Sequence, residues 1–128
     1  MKQAIFIEGP LPGLNELIGA AKSRGYSRSG WNGYSNIKRT LTTKIYWEIL
    51  QQGVKPMKRA YIHFLWKETN RSRDPDNFTS AGKKIILDAL VKAGILKNDG
   101  WSDIDGWDDQ WCVVNKNPGV LVTLEERA

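Results

Sequence analysis

The segment from Arg59 to Glu68 constrains the fold of this chain most. Ile62, Phe64 and Trp66 alternate there with Tyr61, His63 and Leu65. Alternation with a period of two is the mark of a strand, and both sets are bulky enough to accept cover on either face. Such a strand needs neighbours, and three other segments can supply them. Gln3 to Glu8 is β-branched and aromatic enough for a short strand, stopped by Gly9-Pro10. Trp111–Asn115 and Gly119–Glu125 read as two more, and the turn Asn115-Lys116-Asn117-Pro118-Gly119 is expected to join them as a hairpin.

Two helices stand between these strands. Ser35 is a suitable N-cap, and Ile37, Leu41, Ile45 and Ile49 then recur every fourth residue. Trp47 and Leu50 widen that stripe and Gly53 is a natural stop. In the second helix Asp76 or Asn77 can serve as the cap. Phe78, Ala81, Ile85, Ala89 and Ala93 share one face, Ile86 adjoins it, and Gly94 closes the helix. Gly9 to Tyr34 carries Pro10, Pro12 and six glycines. It reads as a long loop with a single helical turn around Asn15–Ala21. Asp99 to Gln110 reads as a polar loop studded with Trp101 and Trp107. The expected order is β-α-β-α-β-β: an α+β fold, a small mixed sheet with two main helices packed on it, in one domain over residues 1–128.

Charge narrows the function. The chain of 128 residues carries 19 Lys and Arg against 14 Asp and Glu, a net charge of +5. Residues 1–70 hold a charge of +7 and residues 71–128 a charge of −2, and every Asp lies after residue 73. A basic half points to a polyanionic partner. The single cysteine, Cys112, excludes an internal disulfide and suits a reducing, cytoplasmic setting. No apolar run is long enough to span a membrane. No Ser/His/Asp triad is credible, because the one histidine, His63, lies mid-strand and reads as structural. Cys112, at a strand start, reads as a small core residue.

The Asp residues suggest metal chemistry. In Arg73-Asp74-Pro75-Asp76-Asn77, Pro75 pushes Asp74 toward extended geometry. Side chains two apart on an extended segment point the same way, so Asp74 and Asp76 can converge. Mg²⁺ accepts oxygen ligands and is commonly held by one or two carboxylates with substrate phosphate. Capping and turn formation are the plainer roles for the same two residues. Arg71 and Arg73 flank the pair as a phosphate-binding edge, and Asp99 follows the second helix by one short loop. Asp99 can join the pair only if the chain runs back along a helix about 27 Å long. Lys84 and Asp88 share the polar arc of that helix with Asn77 and Ser80, and Leu87 and Val91 fall inside that arc as interface candidates. Asp103, Asp105, Asp108 and Asp109 fail the EF-hand pattern, since Gly106 at loop position six puts Trp101 at one and Cys112 at twelve. They read as loop solvation.

Arg73-Asp74-Pro75-Asp76-Asn77-Phe78, the run from Lys84 through Asp88-Ala89-Leu90 to Gly94, and Asn98-Asp99 resemble the RusA family of Holliday junction resolvases. The match is specific over about residues 73–99 and looser elsewhere, including Pro10, Pro12 and Asn15. The resemblance implies a Mg²⁺-dependent, homodimeric endonuclease that cuts four-way DNA junctions symmetrically, often prophage-encoded. It implies that Asp74, Asp76 and Asp99 bind the metal and that a helix lysine is essential. Counting back from Asp88 that lysine is Lys84; counting forward from Asp76 the position is Ser80, which carries no charge. The stretch between Asp76 and Asp88 is about one helical turn longer than the family pattern. Asn98 stands where the pattern has an acid.

The basic half then has work to do. Lys22, Arg24, Tyr26, Arg28, Trp31, Tyr34, Lys38 and Arg39 interleave cations with aromatics. Cations neutralise phosphates, and aromatics stack on unpaired bases. Arg24, Arg28, Lys38, Arg39, Arg71 and Arg73 are therefore the expected DNA contacts. Two other readings fit the same residues: a nucleic-acid-binding protein without catalysis, and a different metal-dependent phosphodiesterase.

Overall fold

The structure is a computed structural model that describes residues 1–13, 16 and 28–127, without the side chains of 28–34. The elements run β1 (Lys2–Glu8), α1 (Arg28–Gln51), β2 (Ala60–Glu68), α2 (Pro75–Lys92), β3 (Ile104–Val113) and β4 (Gly119–Glu126). This is the expected β-α-β-α-β-β order and a mixed α+β fold. The strands form one sheet in the order β1-β4-β2-β3. β1 and β2 both pair antiparallel with β4, while β2 and β3 run parallel. Parallel neighbours need a crossover connection, and α2 is that crossover.

β2 lies inside the sheet, and Ala60, Ile62, Phe64 and Trp66 are buried under the helices. They meet Ile5 and Ile7 of β1, Val120, Val122 and Leu124 of β4, Ile45 and Ile49 of α1, and Phe78, Ile85, Ile86, Ala89 and Leu90 of α2. The alternate residues Tyr61, His63 and Leu65 are only half-buried. The helices thus cover one face of β2, not two.

The expected hairpin is absent. β4 inserts between β1 and β2, and β2 separates it from β3. The division follows composition. Val120, Val122 and Leu124 suit an interior strand, whereas the Asp-rich β3 is tolerated at an edge, where charges also discourage pairing with other chains. β1 has its own protection. Gln52, in the turn just past α1, accepts from the Phe6 N–H at 2.9 Å and donates to the Phe6 carbonyl at 2.8 Å. Glu48 accepts from the Glu8 N–H and Lys44 donates to the Glu8 carbonyl.

Both helices start earlier than the sequence suggests. α1 begins at Arg28, so residues 28–34, expected as loop, are helical. α2 begins at Pro75 with Asp74, rather than Asp76 or Asn77, as N-cap. Pro at the first helical position loses no hydrogen bond and arrives with helical φ. At the far end Gly94 has φ 74°, its N–H donates to the Val91 carbonyl, and the Ile95 N–H donates to Leu90. That double bond pattern is a Schellman stop. Trp47 and Leu50 do not join the buried stripe of α1; they are 57% and 42% exposed. Leu87 and Val91 do the reverse, packing into or against the protein's own core, so they are not a free interface. The expected helical turn around Asn15–Ala21 lies outside the described residues apart from Glu16.

Gly82 of α2 faces the Trp66 ring of β2. A Cβ there would lie 2.9 Å from the Trp66 ring, which is itself only 2% exposed and has nowhere to go. Glycine ordinarily costs a helix interior about 1 kcal/mol against alanine. Here that preference is reversed: Gly82→Ala should destabilise the protein by about 1–3 kcal/mol through overpacking. A lower midpoint in urea unfolding checks this, and an unchanged or higher midpoint contradicts it.

Candidate functional site at the start of α2

β2 ends at Glu68, and a short turn delivers the chain to Asp74. Asp74 has φ −72° and ψ 149°, the extended geometry expected before a proline. An N-cap Asp commonly accepts from a backbone N–H one turn on. The Asp74 side chain makes no such bond. Asp76 lies in the first helical turn, and both residues are exposed. Among the described residues neither carboxylate has a hydrogen-bond or ion-pair partner. Two such acids in one place repel, although the positive end of the helix dipole offsets part of the cost.

Asp99 does not meet them. Its carboxylate accepts from the Lys84 ammonium at 3.1 Å, and Lys84 also pairs with Asp88 at 3.0 Å. Lys38 of α1 reaches Asp88 at 3.5 Å, completing a line of alternating charges across the two helices. Among the described residues no three His, Cys, Asp or Glu side chains form a group able to hold an ion. The expected three-carboxylate cluster is therefore not what the structure shows. The reason lies in spacing along α2. Lys84 is eight residues past Asp76, about 12 Å of helix rise, and the chain after Gly94 brings Asp99 to that level of the helix.

Hydrogen bonds to Asp88 and to Asp99 raise the Lys84 ammonium above its ordinary value of 10.5, and outweigh the opposing effect of burial. Lys84 therefore stays charged through the neutral range. The sign is that of a raised group: its contribution is fully present below the unfolded value and is lost as pH climbs through the folded one. At 58% side-chain exposure the pair is worth no more than about 1 kcal/mol.

Arg73, expected to contact DNA, is occupied. Its guanidinium donates to both Glu68 oxygens at 2.8 and 2.9 Å, to the Leu11 carbonyl at 2.8 Å and to Glu16 at 3.0 Å. It also lies over the Phe78 ring, 5.9 Å from the centroid. Burial disfavours its charge, but the bonds to Glu68 and Glu16 more than compensate and hold its pKa above the usual arginine value. Burial acts on Glu16 in the opposite sense to its bonds from Gly13 and Arg73, and the bonds prevail, so its pKa is lowered. Arg73 thus fastens the first segment to the end of β2. Arg71 and Arg39 are exposed, and among the described residues neither has a partner. Arg24 lies outside the described residues, as does the side chain of Arg28.

Of the four acids expected as loop solvation, Asp103 lies in the turn before β3, whereas Asp105, Asp108 and Asp109 are strand residues with partners. Residues 104–110, expected as loop, belong to β3. Asp105 pairs with Arg59 at 2.6 Å. Asp109 accepts from the Trp66 indole N–H at 2.8 Å and pairs with Lys83. Asp108 and Glu125 take the two ring nitrogens of His63, at 2.6 and 3.2 Å. The bond from His63 lowers the Glu125 pKa. His63 is thus a cross-strand tie, in keeping with its structural reading. Cys112 is exposed and is not a core residue.

Beside Asp74 lies a cleft of about 350 Å³ whose lining includes Asn70, Arg71, Arg73, Phe78, Trp111 and Cys112. Sequence patterning missed it because Trp111 reaches it from an edge strand that reads half as loop. The one available signal was the Trp107-x-Asp109-x-Trp111 alternation.

The roles of Arg71 and Arg73 separate experimentally. Arg73→Ala strands Glu68, whose side chain is 13% exposed, and should cost about 2–3 kcal/mol, somewhat less than a fully buried pair. Arg71→Ala should leave the unfolding midpoint unchanged. Equal midpoints for both variants would overturn the fastening role of Arg73. A scan against protein-family models and a search of curated proteins both find no match to this chain.

Proposed function

We propose that the protein is a Mg²⁺-dependent, structure-selective DNA endonuclease that resolves Holliday junctions by paired symmetric nicks, serving DNA recombination and repair. The observation that carries this reading is the pair Asp74 and Asp76. Both are exposed at one helix start, and the N-cap side chain is not spent on capping. The resemblance of residues 73–99 to the RusA family, which includes this pair, also supports it. The donor chemistry fits Mg²⁺, which one or two carboxylates commonly hold while waters and substrate phosphate complete the shell. Asp74 and Asp76 would hold the ion, which when bound supplies charge neutralisation and an acidified water.

The remaining roles belong to this chain's own groups. Lys84, kept cationic by Asp88 and Asp99, is the helix lysine the resemblance implies; with Asp76 about 12 Å of helix rise away, its ammonium would act on the reacting phosphate after turning from Asp88 toward the start of α2. Asp99 acts through Lys84 in this arrangement, not as a third ligand. Lys38 holds Asp88 from the neighbouring helix. Arg71 and Arg39 are available to the DNA backbone, where each contact adds salt-sensitive affinity. Two nicks related by a two-fold axis suit a homodimer with the same symmetry.

A second reading is a DNA-binding protein without catalysis. The engagement of Asp99 by Lys84 favours it, since one expected ligand is already spoken for. A synthetic four-way junction incubated with protein and Mg²⁺ decides between them. Symmetric nicks are expected, falling by about 10²-fold or more in Asp76→Asn with junction affinity retained. Lys84→Met should also slow cleavage without releasing the junction. Binding with no cleavage by the unaltered protein would favour the second reading. Full cleavage by Asp76→Asn would remove the metal assignment, and equal cutting of linear duplex would remove junction selectivity.

A further inference from the structure

We infer that the cleft beside Asp74 is a subsite for one unpaired nucleotide of a DNA strand, with Trp111 as the stacking surface for its base and Arg71 as the contact for its phosphate. The proposal rests on the reading that this protein handles DNA, and it adds a place where a base leaves the duplex stack.

Trp111 is 54% exposed although it belongs to a strand, and its ring stands edge-on to Phe78, at 81° and 6.3 Å between centroids. Phe78 is buried, so Trp111 is propped from inside the protein while much of its surface faces the cleft and solvent. A large aromatic held rigid and wet offers a platform to any base, because every base has a π face. The volume of about 350 Å³ lies at the small end of ligand pockets, the scale of one nucleotide rather than a duplex.

Charge selects the occupant. Glu68 also lines the cleft, but the Arg73 guanidinium bonds both of its oxygens. Arg71 remains, exposed and among the described residues without a partner. The cleft therefore pairs an aromatic platform with an available cation, the combination that tracks a single strand. Asp74 forms part of its rim, so a strand seated there would pass the proposed metal carboxylates.

Binding of a labelled strand tests the subsite directly. The protein, in EDTA so that cleavage plays no part, is titrated into a fluorescently labelled short oligothymidine or a labelled blunt duplex, and anisotropy reports binding. The single strand should bind more tightly than the duplex. Trp111→Ala should weaken single-strand binding by about tenfold, while Trp111→Phe keeps most of it. Trp101→Ala, which removes a ring 96% exposed elsewhere, should leave it unchanged. Arg71→Gln should lower the salt dependence of single-strand binding by somewhat less than one unit of slope. Duplex bound as tightly as the single strand, or unaltered binding by Trp111→Ala, would overturn the proposal. Trp111-dependent binding without any junction cleavage would leave this subsite standing and remove the endonuclease reading; cleavage with unaltered single-strand binding by Trp111→Ala would do the opposite.

Discussion

Trp66 sets the distance between α2 and the sheet. Its ring is buried on β2, stacks on Phe64 at 17° and 5.7 Å, and tilts against Phe78 of α2. Gly82 lets the helix backbone settle on that ring. The indole N–H, which would be costly to bury unpaired, reaches Asp109 on β3. One side chain therefore joins an interior strand, the crossover helix and the edge strand. The start of α2 inherits its position from that contact, and so do Asp74 and Asp76.

Around this joint the charges fall into two groups. Most of the acids serve as ties: Glu68 and Glu16 on Arg73, Asp109 on Lys83, Asp105 on Arg59, Asp88 and Asp99 on Lys84. Half-buried ties such as Arg73–Glu68 hold the segments in place and are expensive to break from one side. Asp74 and Asp76 are not tied in this way among the described residues, and Asp74 stands at the mouth of a cleft with an aromatic wall. The contrast between spent and available charge separates the proposed chemistry from the scaffold.

Much of the scaffold was legible in the chain. β2 showed its alternation, both helices showed their apolar stripes, and Gly53 and Gly94 marked helix ends with φ 68° and 74°. Each of these signals is local, since the pattern of neighbouring residues suffices to reveal it. Only the end of β3, from Trp111 on, was legible, because Asp105, Gly106, Asp108, Asp109 and Gln110 before it are poor strand formers. They are accommodated at an edge by partners far away in sequence: Arg59, His63, Trp66 and Lys83. Trp47 and Leu50 misled for a related reason. Their spacing fits the stripe of α1, but among its described side chains the helix turns only Ile45 and Ile49 fully inward.

The sequence by itself determined the elements, the order β-α-β-α-β-β and the extended Asp74 ahead of a proline-started helix, because periodicity and backbone sterics act over a few residues. Only the tertiary structure decided which strand lies at the centre, that β4 and not β3 pairs with β1, that Arg73 is a fastening, and that Asp99 goes to Lys84. Those outcomes depend on which groups can share a burial site or neutralise one another once the sheet has closed. That is a competition among residues as far apart in the chain as Lys2 and Glu125, and no local pattern records its result.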